Sequence, residues 1–160
     1  TRMTLAEIED ALIELVNANL PYLHTCETGS SQTIDEQGNV LARTPAVLFV
    51  LGESEITPRS VRALANSYHP RWALLAGASN LRGVAEEKKG DPATSEPGVY
   101  QILDGLRALA GTILTFDSGG KGMIVIRSER LAALTREGTW YEVVLEVQTD
   151  FQNEAAAWPR

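Results

Sequence analysis

Thr139-Trp140-Tyr141-Glu142-Val143-Val144-Leu145-Glu146-Val147-Gln148-Thr149-Asp150-Phe151 is the longest stretch of the chain that keeps one period without a breaker, and that period is two. Tyr141, Val143, Leu145, Val147, Thr149 and Phe151 fall on one face; Glu142, Glu146, Gln148 and Asp150 fall on the other, with Trp140 and Val144 as apolar exceptions. The pattern predicts a strand with one wet, acidic face. Strands usually run about five or six residues, whereas this one would reach roughly 35 Å at about 3.3 Å per residue. Such a length predicts a largely antiparallel sheet crossed from edge to edge, or an extension beyond the body of one subunit.

Working back from it, Met123 to Ile126 and Thr112 to Phe116 read as two strands joined by the glycine-rich turn Asp117-Ser118-Gly119-Gly120-Lys121-Gly122. Residues 128–138 fit a short helix or an irregular crossover. Ser95-Glu96-Pro97 predicts a capped helix whose buried face is Val99, Ile102, Leu103, Leu106 and Ala110, closed by Gly111. Trp72 to Ala76 predicts a strand. Thr57-Pro58 has the form of an N-cap followed by proline at the first helical position, which predicts a short helix with Val61, Leu64, Ala65 and Tyr68 inward before Pro70. The apolar run Ala46 to Leu51, between Pro45 and Gly52, predicts a strand buried on both faces at the centre of the sheet. Tyr22 to Thr28 predicts a first strand, residues 29–44 a β-hairpin arm, and residues 80–95 a long polar, mobile loop.

At the N-terminal side, Thr4-Leu5-Ala6-Glu7 is a capping box. It opens a helix with Leu5, Ile8, Leu12, Leu15, Val16 and Leu20 on one stripe, ending near Pro21, and with Glu7, Asp10, Glu14 and Asn17 on a solvated face. The fold expected is therefore α+β: five or six mostly antiparallel strands with two or three helices packed on them, in one domain over residues 1–160.

Composition narrows the function classes. A hydrophobic fraction of 44%, a charged fraction of 22% and no apolar run near the 18 or so residues of a membrane span fit a soluble globular chain without a signal peptide. One cysteine, Cys26, excludes an intrachain disulfide and suits a reducing cytoplasm. A net charge of −7 argues against wrapping nucleic acid, yet it suits a surface that DNA must slide past.

Reactive constellations are few. Asp117-Ser118-Gly119-Gly120 with His24 has a superficial likeness to trypsin-like proteases, but Phe116 stands where that family places a glycine, and the chain lacks the length for two β-barrels. The same loop is no phosphate cradle, because Gly122 follows Lys121 and a strand comes next. His24 and Cys26 would share a strand face as a thiol and imidazole pair, the main support for a small cytoplasmic enzyme or ligand-binding domain. Two histidines and one cysteine at these spacings ask for no metal, and nothing asks for a cofactor. Arg59, Arg62 and Arg71, with His69, form the most basic stretch, a weak case for a nucleic-acid adaptor.

Four segments carry a resemblance that covers most of the chain. They are Ile8-Glu9-Asp10-Ala11-Leu12-Ile13, Pro45-Ala46-Val47-Leu48, the Leu81-Arg82-Gly83-Val84-Ala85-Glu86 loop leading to Pro97-Gly98-Val99-Tyr100-Gln101-Ile102-Leu103, and Tyr141 to Thr149. In this order the chain resembles the small tail completion or tail terminator proteins of Mu-like contractile-tailed phages and prophages. The glycine-rich turn at Asp117 to Gly122, and Glu129 in a segment expected to be more basic, depart from that pattern. The resemblance implies a virion structural protein without enzymatic activity or cofactor, assembled in the host cytoplasm into a homo-oligomeric, hexameric ring. The ring would cap the tail tube, contact tube and sheath proteins, and meet the head connector, with DNA passing through its lumen. On this reading Glu142, Glu146 and Asp150 would line the lumen, and lysine at all three would hinder DNA passage while leaving the fold intact. Arg59, Arg62, Arg82, Glu86, Glu87, Lys88 and Lys89 would contact neighbouring subunits or partners.

Overall fold

The computed structural model describes residues 4–30, 42–58, 65–79, 89–90, 97–134 and 138–152, with side chains described for these apart from 58, 65–66 and 150–152. The expected hairpin arm at 29–44 and polar loop at 80–95 lie largely outside the described residues, as do Arg59, Arg62, Arg82, Glu86, Glu87 and Lys88. Among the described residues eight elements follow in order: α1 (Leu5–Asn19), β1 (Thr25–Thr28), β2 (Ala46–Pro58), β3 (Ala65–Ala78), α2 (Val99–Arg107), β4 (Ile113–Thr115), β5 (Lys121–Leu134) and β6 (Thr139–Gln152).

The strands form one sheet in the order β1-β2-β3-β6-β5-β4, antiparallel at every junction except the parallel β1–β2 pair. The fold is therefore the expected α+β class. The long strand β6 occupies the middle, with β3 on one side and β5 on the other. Its odd residues Val143, Leu145 and Val147 face the two helices and are fully buried. Opposite them in register on β3 stand Leu74 and Trp72, and Ile8, Leu12 and Val16 of α1 with Ile102 and Leu106 of α2 complete that core. At about 25 cal/mol per Å² of apolar surface removed from water, this layer supplies the main driving force for folding.

Both helix starts are capped. The Thr4 hydroxyl accepts from the Glu7 amide at 3.2 Å. At α2 the capping residue is Gly98 rather than Ser95, and its amide donates to the Gln101 side chain at 2.6 Å. After Arg107 the chain leaves the α-helix in turns, so Leu109 and not Ala110 is buried, and Gly111 adopts the positive φ of +85° that this exit requires. The β4–β5 hairpin forms as expected, with Gly119 at φ +91° in its turn.

Three expectations are corrected. Residues 57–58 and 65–70 are in strands, not in a helix, because β2 and β3 extend as a long antiparallel pair through Thr57↔Ser67. Pro70 does not stop β3. It lacks an amide hydrogen, and both neighbouring ladders are interrupted beside it: β2 shifts register between Leu51 and Ser54, and β3 pairs with β6 at Tyr68 and again only at Arg71. Second, Ala46 to Phe49 are buried on both faces, but β2 lies toward the edge of the sheet, and Val50 and Leu51 are exposed. Third, residues 128–134 continue β5 as strand. Their helix propensity yields to pairing with β6, through irregularities at Ile126/Ser128 and Leu131/Ala133. Trp140, an apparent misfit on the wet side of β6, packs across Gly77, where a Cβ would overlap the indole ring.

Candidate functional site

The even residues of β6 point away from the helices, and the sequence pattern predicts that they meet water. Glu146 does not: its side chain has 0% exposure. The register explains what covers it. Arg71 on β3 stands directly opposite Glu146, and the bulge in β5 between Ile126 and Ser128 turns Arg127 toward the same carboxylate. Arg71 Nε donates to Glu146 Oε1 at 2.8 Å. Arg127 Nε and Nη2 donate to Oε2 at 3.1 and 2.6 Å, and Gln148 Nε2 adds a donor at 3.0 Å.

Burial alone would raise the Glu146 pKa, because a desolvated charge is disfavoured. The donors from Arg71, Arg127 and Gln148 outweigh it and hold the carboxyl down at about 2. Arg71 is in turn raised, chiefly by its hydrogen bond to Glu146. Its Nη2 also reaches Glu55 Oε2 at 3.4 Å, so the cluster spans β2, β3, β6 and β5. Glu142, the next even acid, lies under Arg130 at 3.0 Å. The row is thus not bare negative charge: two of its acids are neutralised within the sheet. Lysine at 146 would face two arginines, which overturns the expectation that this substitution leaves the fold intact. The Asp150 side chain lies outside the described residues, and Lys89 is exposed.

The ligand atoms of Glu55, His69 and Glu146 lie within 4.8 Å of one another, a grouping that could hold a metal ion. Both Glu146 oxygens already accept from arginine, so a cation there would sit beside two guanidinium charges. The geometry describes a charge cluster first. Beside it His69, Lys121, Gln148 and Thr149 line an open polar cleft of about 370 Å³.

The acidic face of α1 is also partly engaged rather than solvated. Glu9 accepts from Trp72 Nε1 at 3.0 Å and from the Thr28 hydroxyl at 3.0 Å, tying the helix to β3 and β1. Glu7 accepts from the Ser118 amide at 2.9 Å, and that bond lowers its pKa. The glycine-rich turn that departs from the expected pattern is therefore a docking point for the helix. Asp10 and Glu14 remain exposed.

Cys26 and His24 do not form a reactive pair in this structure. His24 is exposed just before β1, whereas Cys26 is half-buried against the core, its Sγ 3.9 Å from the Ile13 carbonyl. Burial, then the nearby Glu27, pushes the thiol up to about 11, so at neutral pH it is not the thiolate that nucleophilic chemistry requires. Arg71, the described member of the basic trio, spends its charge on Glu146 and Glu55. The pairing of Arg71 with Glu146 across β3 and β6, and of Arg127 through a bulge, required the strand register; only the alternation in β6 was visible beforehand.

A family model described as Bacteriophage Mu, Gp37 matches residues 4–147 of the 160. Comparison with curated proteins returned no match. The matched span begins at the Thr4 cap and ends inside β6 one residue beyond Glu146, so among the described elements it includes α1, α2, β1 to β5 and the part of β6 that holds the arginine-clamped carboxylate.

Proposed function

The chain belongs to the bacteriophage Mu Gp37 family, and from that premise we propose that it is a tail terminator. In this role it forms a homo-oligomeric ring, a hexamer, that caps the tail tube, stops its growth and offers a surface to the head connector. It acts by contact and carries no chemistry. The observation that carries the reading is the extent of the family match, which spans residues 4–147 of the 160.

The geometry supports it in two ways. Carboxylates and arginines are spent on holding sheet and helices together, in Glu146 with Arg71 and Arg127, Glu9 with Trp72, and Glu7 with Ser118. Such crosslinks make a stiff plate, which a cap under load needs. The lone thiol is protonated, which removes the main support for the alternative of a small enzyme using Cys26 and His24. DNA would pass through the lumen only in transit, and the protein would reside in the virion tail after assembly in the host cytoplasm.

Electron microscopy of the purified protein, alone and mixed with tail tubes, tests this. Rings of one size and caps at tube ends are expected. A strict monomer that leaves tube ends bare at high concentration would sink the proposal.

A further inference from the structure

Among the described residues the two edges of the sheet are each half covered, and the open halves are at opposite ends. β1 pairs with Ala46 to Phe49 of β2, and the Gly29 amide adds one more bond to Phe49, so among the described residues 50–58 have no neighbour on the outer side. β4 pairs with Lys121 to Met123 of β5, and contacts through Gly111 and Thr112 reach Ile124, so 125–134 are likewise open. β2 and β5 run in opposite directions, because two antiparallel strands separate them.

Exposed apolar residues gather on these open halves: Leu51 and Ile56 (54%) on β2, Leu131 (52%) and Leu134 (53%) on β5. Charge differs between them. The β2 half carries Glu53 and Glu55 and no cation, whereas the β5 half carries Arg127 and Arg130 against Glu129. Two β2 halves would repel each other, whereas the β5 half, with one net positive charge, suits β2, which favours a head-to-tail contact over a two-fold one through β2.

We propose that the open half of β2 in one copy pairs antiparallel with the open half of β5 in the next, extending the sheet from subunit to subunit. This rests on the ring reading above and names the contact that would build the ring. Register follows from faces. Glu55 and Arg130 both lie on the face away from the helices, as their bonds to Arg71 and Glu142 show. Ile56, opposite Tyr68, and Glu129, bonded to Arg107 of α2, lie on the helix side. Setting Glu55 opposite Arg130 satisfies both faces and brings Ile56 diagonal to Leu131, within reach of a cross-strand contact.

Arg130, Glu142, Leu75 and Leu48 form one row across a subunit. The neighbour's Glu55 joins that row, so each copy is stepped along the strand by the span from Leu75 to His69 on β3, opposite 48 and 55, roughly 20 Å. At that step β1 of one copy and β4 of the other lie beyond opposite ends of the contact and do not collide. A constant step closes when strands are inclined to the ring axis, as shear and tilt are linked in barrels. The bulges at Leu51/Ser54 and Leu131/Ala133 confine regular pairing to about 54–57 against 128–131, which keeps the contact short and specific.

Cysteine crosslinking tests the register. Full-length chains carrying Glu55→Cys, Arg130→Cys or both are treated with a short bismaleimide, with the parent chain and its Cys26 as control. Both sites are solvent-exposed, and circular dichroism checks the fold; Thr57→Cys with Ser128→Cys supplies a second pair in the same register. The double variant is expected to give a covalent ladder ending at the ring size. The two single variants should crosslink when mixed, at least tenfold more than either alone. Self-crosslinking of Glu55→Cys equal to that of the mixture would overturn the proposal, as would rings in which neither pair crosslinks, an outcome that leaves the terminator reading standing. A monomer that neither crosslinks nor caps tubes would overturn both.

Discussion

The two faces of β6 solve the same problem with different chemistry. On the helix side Val143, Leu145 and Val147 are buried by packing alone, under α1 and α2. On the other side Glu146 is buried just as fully, but under the side chains of Arg71 and Arg127. Packing tolerates small errors and ignores pH. A clamped carboxylate depends on every donor being present, because breaking a buried pair strands a charge without water. The difference teaches that a period-two strand does not need a wet face: an acidic row is also where a sheet places a cross-strand lock.

The most severe way to break the second face is Glu146→Lys, which puts a third cation beside two arginines. A loss of about 5 kcal/mol, or failure to fold, is expected in urea unfolding followed by circular dichroism. On the first face Leu145→Ala leaves a cavity in the core, and a loss of about 4 kcal/mol is expected at any pH in the neutral to mildly acidic range.

That pH insensitivity is what separates the faces. Glu146 is held at about 2, below its ordinary value of 4.5, so its contribution is fully present above about 4.5 and is lost as pH falls through about 2. Glu146→Gln is expected to cost on the order of 3 kcal/mol at pH 7. Most of that gap should persist at pH 4 and close only near pH 2. A gap that closes around pH 4.5 would show an ordinary exposed carboxylate and erase the distinction.

Much of this was legible in sequence. The period of β6, the Thr4 cap, the apolar stripe of α1 and the β4–β5 hairpin all follow from local patterns, because local sterics and burial determine them. What was not legible depended on register. Nothing near Glu146 in the chain announces Arg71, 75 positions away, and Pro70 looks like a helix stop until the bulge in β2 is known. Residues 128–134 have helical composition, and only pairing with β6 makes them strand. Similarly, Glu7 looks like part of a solvated face until the turn at Ser118 arrives from a distant segment, and nothing around Glu9 announces the indole of Trp72.

The smallest expected effect sharpens that last point. Glu9→Ala removes an acceptor shared by Trp72 and Thr28 and is expected to cost about 1 kcal/mol. Tryptophan fluorescence should report a changed environment for Trp72 without global unfolding. Unchanged fluorescence and stability would contradict a structural role for Glu9.

The proposed terminator role requires that the protein stop tube growth. The most direct measurement is therefore the length distribution of tail tubes assembled from purified tube protein, with and without this chain, by electron microscopy. Tubes are expected to be shorter and uniform in the presence of the protein, each ending in a single ring, and to resume growth only from uncapped ends. Tubes that lengthen at the same rate with bare ends, at concentrations where the protein is folded, would contradict the account.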